Sequence, residues 1–302
     1  MKQAVSISMG SSNRDKHVEI DLDGERISIR RIGTDGDMQR AAELFRELDG
    51  KVDAFGVGGA DLGLQIDDRW YPLHSVQPMV RYVRQTPIVD GTGLKNTLEA
   101  RVAAALEESL IDPPTPRRTL ITSGADRWGM TISFVQAGYE CVFGDLMFAL
   151  GLPIPLRSTD SIKRMAAIMM PIVSRLPFKW LYPTGEAQDQ RTPKWEGYYR
   201  WASVIAGDCH YVKRYMPASL DGKIIVTNTT TESDVEMFRE AGISHLLTTT
   251  PVVDGRSFGT NMMEAALVAR AGMGRPLRIA ELQDWLKRVG FEPRVLRLGG
   301  HS

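Results

Sequence analysis

Apolar and polar residues alternate over Val18-Glu19-Ile20-Asp21-Leu22 and again over Ile27-Ser28-Ile29-Arg30, with Asp23-Gly24 between the two runs. A period of two on both sides of a glycine turn predicts a β-hairpin. Over residues 37–48 the period lengthens, so that Met38, Ala41, Ala42, Leu44, Phe45 and Leu48 share one face ahead of Gly50. That spacing predicts an amphipathic helix. Residues 52–57 read as a buried strand, 76–84 as a helix, 87–89 as a strand and 94–110 as a helix. Pro113, Pro114 and Pro116 then break the pattern, because proline cannot continue a helix and favours an extended linker. The first domain is therefore expected to span residues 1–112.

Beyond the prolines, an apolar strand (118–122), the turn Ser123-Gly124-Ala125-Asp126-Arg127-Trp128-Gly129, a helix (130–137) and a second strand (139–143) compose one β-turn-α-β unit. Strands at 203–206, 223–227 and 245–249 alternate with helices at 211–215 and 233–241, and parallel strands with crossovers are the simplest arrangement. The expected fold class is α/β: an N-terminal mixed α/β domain, then a Rossmann-like parallel-sheet domain (117–271) and a C-terminal helical segment (272–302), for which a return to the first domain is one option. Helices are expected at 259–271 and 279–289. Residues 146–200 form a long Pro-rich apolar insertion, with Pro153, Pro155, Pro171, Pro177, Pro183 and Pro193 among Met169, Met170, Phe178, Trp180 and Tyr182. Such an insertion either caps a substrate pocket or packs on the sheet, and a third reading lays residues 165–182 on a membrane surface.

The 302 residues suit about two domains. Lys plus Arg total 37 and Asp plus Glu total 37, so no net field is available to hold a polyanion, and nucleic acid is not an expected partner. Two cysteines, Cys141 and Cys209, make no disulfide framework, and no apolar run nears the ~18 residues that cross a bilayer. The first residues lack the pattern of a signal peptide. A cytoplasmic protein with a small-molecule substrate is the expectation, with a homodimer as a candidate assembly. Five scattered histidines and the two cysteines offer no zinc spacing, so no metal is expected.

The turn from Ser123 through Gly124, Asp126, Arg127, Trp128 and Gly129 lies between a strand and a helix, where backbone N–H groups and the helix dipole receive a phosphate. It lacks the middle glycine of the dinucleotide fingerprint. Asp145 stands at the end of the next strand, where an acid bonds the ribose hydroxyls of NAD and disfavours NADP. The alternative is a tight βα turn whose glycines serve helix–sheet packing. In the first domain, Asp90-Gly91-Thr92-Gly93-Leu94-Lys95-Asn96-Thr97 and Gly56-Val57-Gly58-Gly59-Ala60-Asp61 are expected to open at one strand edge. There Lys95 and Asp90 are placed to exchange protons with a substrate hydroxyl or carbonyl, beside Thr92 and Asn96. Asp208-Cys209-His210 follows a strand, making His210 a candidate acid or base and Asp208 a cofactor contact, or Asp208 merely a helix cap. Thr227 and Thr249 close two further strands and offer hydroxyls to the cofactor. Arg256 could clamp a substrate carboxylate, with Asn261 close by in sequence.

The stretches Arg31-Ile32-Gly33-Thr34-Asp35-Gly36-Asp37, Val89 to Thr97, Gly144-Asp145-Leu146-Met147-Phe148-Ala149-Leu150-Gly151 and Arg256-Ser257-Phe258-Gly259-Thr260-Asn261 together resemble a bacterial and archaeal family labelled quinate 5-dehydrogenase. The resemblance implies a two-domain enzyme with a Lys–Asp pair in its substrate domain. It also implies a Rossmann second domain carrying NAD, or NADP, for oxidation of quinate or shikimate. Ser6-Ile7-Ser8 is similar to the substrate-binding Ser-x-Ser of that group, which implies Ser6 and Ser8 as substrate contacts. A weaker similarity joins Gly56 to Leu62 and Thr92 to Thr97 to fatty-aldehyde-forming acyl-carrier-protein reductases. The competing class is a Rossmann-like ligand-binding or sensory protein without hydride chemistry.

Overall fold

The computed structural model describes residues 1–178, 191–250, 252–253 and 256–299. The chain runs through β1 (Lys2–Ser8), β2 (Lys16–Leu22), β3 (Glu25–Gly33), α1 (Met38–Leu48), β4 (Ala54–Gly58), β5 (Gly63–Ile66), β6 (Arg69–Pro72), α2 (Gln77–Val80), β7 (Ile88–Val89) and α3 (Thr92–Thr97). It continues with α4 (Val102–Ser109), β8 (Arg118–Ile121), α5 (Trp128–Gln136), β9 (Glu140–Phe143), α6 (Thr159–Val173), α7 (Glu196–Trp201), β10 (Val204–Ala206), α8 (Cys209–Tyr215), β11 (Ile224–Thr227) and α9 (Glu232–Glu240). The last elements are β12 (His245–Thr248), β13 (Val252–Val253), β14 (Arg256–Ser257), α10 (Thr260–Ala271), α11 (Ile279–Val289) and β15 (Arg294–Arg297). The fold is α/β and divides into two compact units: Met1–Thr97, Met169–Thr184 and Val252–Phe291 form the first, and Leu98–Ile168, Gly185–Pro251 and Glu292–Ser302 the second.

Unit 1 is built on a sheet ordered β2-β3-β1-β4-β7, parallel from β3 to β7 with β2 antiparallel on the edge. The expected hairpin is β2–β3, and Asp23 and Gly24 at its tip both take positive φ (54° and 76°), which matches the right-handed twist of the strands. Asp37 caps α1 by accepting the Arg40 N–H at 2.9 Å. The buried face of α1 brings Phe45 edge-on to Phe55 of β4, ring centroids 5.0 Å apart. Such a contact adds about 0.5–1.5 kcal/mol beyond the area it buries. On the sheet also lies α10, whose residues Met262 to Ala269 are all buried. A helix apolar all round needs a complete coat.

Unit 2 is a six-stranded sheet ordered β15-β12-β11-β10-β8-β9, parallel except for β15. Counted in chain order the parallel strands run second, first, third, fourth, fifth. This is a doubly wound arrangement whose winding reverses between β8 and β10. Leu120, Val142, Ile205, Ile225 and Leu246 fill its core together with Met147, Phe148 and Tyr199 from the two ends of the insertion. The described ends of the insertion thus pack into the core, and residues 179–190 of the insertion lie outside the described residues.

The units differ from the expected segments in two ways. The first division falls between Thr97 and Leu98 instead of at the prolines, since the helix expected over 94–110 is interrupted into α3, a 3-10 turn (Glu99–Arg101) and α4. Secondly, α10 and α11 belong to unit 1, while the chain beyond Phe291 supplies strand β15 to the edge of unit 2 instead of a helical tail. Among the described residues no helix is long and apolar enough to cross a membrane.

Candidate functional site

At the carboxyl edge of unit 1, the loops after β4 and β7 open side by side. The Lys95 ammonium, its side chain 8% exposed, lies 2.7 Å from the Asp61 carboxylate. Asp90 holds these loops in place, accepting N–H groups from Leu62 at 2.6 Å and Thr92 at 3.0 Å. Lys95 is thus ion-paired with Asp61, whereas both oxygens of Asp90, the acid expected beside it, accept backbone N–H groups. Thr92 and Asn96 lie half-buried on α3.

Next to α3 the start of α10 approaches closely. Gly91 takes φ 97°, and a Cβ there would meet Thr260 Oγ1 at 2.8 Å and the Asn261 nitrogen at 2.9 Å, so this junction requires glycine. Asn261 donates to the Ser6 hydroxyl at 2.6 Å, joining two expected substrate contacts that lie 255 positions apart. Ser8 instead accepts from Gly10 N–H and from Arg31 (3.0 Å) and is buried. Sequence reasoning missed Glu264, which is buried on α10 and accepts the Leu94 N–H at 3.2 Å. Burial first and Asp90 second push its carboxyl up to about 8, against the pull of the Leu94 and Gly93 amides and of Lys95. The backbone of Arg256 lies in β14, and its side chain is outside the described residues.

Unit 2 gathers charge at the ends of β8 and β10. Arg127 forks between Glu99 at 2.6 Å and Asp208 at 2.8 Å, with Asp126 at 3.3 Å from its Nε. Burial disfavours the guanidinium charge, yet Glu99, Asp126 and Asp208 raise its pKa above the usual range. Arg127 likewise keeps Asp208 below the ordinary carboxylate value in spite of burial. Asp208 caps α8 by accepting the His210 N–H at 2.9 Å, and His210 is an exposed residue of the first turn of that helix. Cys209 is buried, which raises its thiol pKa and leaves it unsuited to act as a nucleophile.

The amides of Gly124 and Ala125, expected to receive a pyrophosphate, instead donate to Asp145 at 3.1 and 2.8 Å. Ser123 is half-buried, while Trp128 and Gly129 are buried at the start of α5. Thr227 donates to the Gly207 carbonyl at 2.8 Å, and Thr249 is buried. The turn and its acid therefore fold onto each other, and these residues do not fit a pyrophosphate.

A family profile described as Domain of unknown function (DUF8754) matches residues 93–298, and a second, Domain of unknown function (DUF8753), matches residues 3–90. No curated protein matches the sequence. Solved structures that resemble the chain include a protein from Mycobacterium smegmatis, 11% identical with a TM-score of 0.38, over 99% of this chain and 91% of that one. GanP, a glucose-galactose binding protein from Geobacillus stearothermophilus, is 11% identical with a TM-score of 0.38, over 99% of this chain and 98% of that one. The NAD-dependent malic enzyme of Thermotoga maritima is 13% identical with a TM-score of 0.38, over 90% of this chain and 71% of that one.

Proposed function

We propose that this chain, which belongs to the family described as Domain of unknown function (DUF8754), is an enzyme that moves a proton at a hydroxyl or carbonyl of a small hydroxylated acid bound at the carboxyl edge of unit 1. The observation that carries this reading is the Lys95–Asp61 pair: an ammonium 8% exposed, 2.7 Å from its carboxylate, at the open end of parallel strands. Lys95 hands a proton to the substrate oxygen or takes one from it, and Asp61 stabilises the cationic form. A side chain so positioned supplies about 10²- to 10⁴-fold in rate. Asn261 and Ser6, bonded at 2.6 Å, together with Thr92 and Asn96, offer the donors and acceptors that read substrate hydroxyls.

In the form implied by the resemblance, the acid is quinate or shikimate, and a bound nicotinamide dinucleotide supplies the hydride acceptor. The turn at Gly124 does not support that partner, so the reading rests on unit 1. The Asp145 clasp favours a second reading, a ligand-binding or sensory protein without hydride chemistry.

Calorimetric titration of the chain with quinate, shikimate and malate, followed by turnover assays with and without NAD or NADP, separates the two. Binding of a hydroxy acid, with turnover lowered about 10²- to 10⁴-fold in Lys95→Met, is the expected result. Undiminished turnover in that variant removes the assignment of Lys95. Binding without turnover under any condition leaves the second reading in possession.

A further inference from the structure

The bond pattern around Gly124 is that of a backbone anion site with the anion already supplied. Two consecutive amides, Gly124 and Ala125, each donate to a different oxygen of one carboxylate, Oδ2 at 3.1 Å and Oδ1 at 2.8 Å. Amides in a strand-to-helix turn hold phosphates and carboxylates by the same geometry. The carboxylate is Asp145, which opens the π-helical turn Asp145–Ala149 directly after β9 and is 9% exposed. The surroundings of the turn are filled as well. A Cβ on Gly124 would meet Ile162 Cδ1 and Phe143 Cδ1 at 3.0 Å and Thr131 Oγ1 at 3.1 Å, and the Thr131 hydroxyl donates to the Gly124 carbonyl at 3.0 Å.

From this geometry we infer that Asp145 is the resident anion of the unit 2 turn, so that whatever binds where the winding reverses between β8 and β10 does so without seating a phosphate on Gly124 and Ala125. The charges nearby agree. Arg127 is the basic group closest to this turn in sequence, and it is engaged with Glu99, Asp126 and Asp208. An arriving pyrophosphate would have to expel Asp145 from its donors while meeting Asp126 and Asp208. A buried carboxylate left without donors is among the costlier states a protein can hold. Burial already presses on this one, lifting its pKa to about 6 against the pull of the two amides. The inference stands apart from the reading of unit 1, since neither Lys95 nor Asp61 enters it.

The test is isothermal titration of inorganic pyrophosphate, NAD and NADP into the full chain and into Asp145→Ala. The wild type is expected to give no binding at millimolar concentration, and removal of the carboxylate is expected to free both amides and strengthen pyrophosphate binding at least tenfold. Micromolar binding of NAD or pyrophosphate to the wild type, weakened in Asp145→Ala, would overturn the inference and make Asp145 a ligand contact. A folded Asp145→Ala that gains no anion affinity overturns it too. Should that variant fail to fold, Asp145→Asn keeps one acceptor oxygen for the turn. The Gly124 and Ala125 amide resonances of the wild type give a further readout: no response to pyrophosphate supports the inference, and a saturable shift refutes it.

Discussion

Both units end their parallel strands in a row of polar side chains, yet the two rows are held in opposite ways. In unit 1 Lys95, its side chain 8% exposed, lies against the single carboxylate of Asp61, 19% exposed. In unit 2 Arg127, 4% exposed, is spread over three carboxylates. Arginine does not lose its proton in proteins, and its planar fork suits two partners held at once. On the reading proposed above the lysine edge moves a proton, whereas the arginine edge ties Glu99 and α5 to the end of β10.

The contrast makes a large stability difference the first thing to measure. Arg127→Met leaves Glu99, fully buried, and Asp208 without their guanidinium. Removing one partner of a buried pair costs about 3–5 kcal/mol. The same substitution at Lys95 removes the ammonium from Asp61, which is 19% exposed, and orphans no fully buried acid such as Glu99, so it is expected to cost less, about 1–3 kcal/mol. Urea unfolding of the three proteins checks both numbers. Equal midpoint shifts for the two variants would erase the distinction between a scaffold cation and a reactive one. Arg127→Lys is expected to fall between wild type and Arg127→Met, because one ammonium cannot reproduce a fork that reaches Glu99 from Nη1 and Asp208 from Nη2.

Much of this architecture was legible in the chain, and the failures have physical causes. The Asp23-Gly24 hairpin and the amphipathic α1 came directly from periodicity, since each buries one face locally. The short hairpin β5–β6 has a weaker signature, Leu64, Gln65 and Ile66 alternating only up to Asp67, whose φ of 57° makes the turn. The assignment of α10 to the second domain failed for a different reason. A helix without a polar face gives no sign of which sheet it will cover. At the sites, spacing placed the two loops of unit 1 at one edge but could not choose Asp61 over Asp90 as partner of Lys95, because that depends on which carboxylate the backbone N–H groups of Leu62 and Thr92 claim. The position of Asp145 at the end of the strand after Gly124 suggests a ribose contact, but sequence does not say that the acid reaches back to the turn itself. Glu264 carried no signal at all, being one acid in an apolar helix.

That acid sharpens the comparison through pH. Burial pushes the Glu264 carboxyl up to about 8 in the folded chain against an ordinary 4.5, and that of Asp145 up to about 6 against 3.8. In both cases the folded form binds the extra proton, so each contributes stability at low pH that is lost as pH rises through the folded value. The Asp145 window closes near pH 6, and the Glu264 window stays open to about 8. His245, held below 6.5 by burial and by Arg297, acts in the opposite sense and only up to about its ordinary value. Between pH 6.5 and 8, therefore, the difference between wild type and Glu264→Gln isolates unit 1. Wild-type stability is expected to fall relative to the variant with a slope of up to about 1.4 kcal/mol per pH unit. Urea midpoints at half-unit intervals measure it, and parallel curves for the two proteins across that range would mean that Glu264 is ionised in the folded chain and that the unit 1 edge holds one more negative charge beside Asp90 and Lys95.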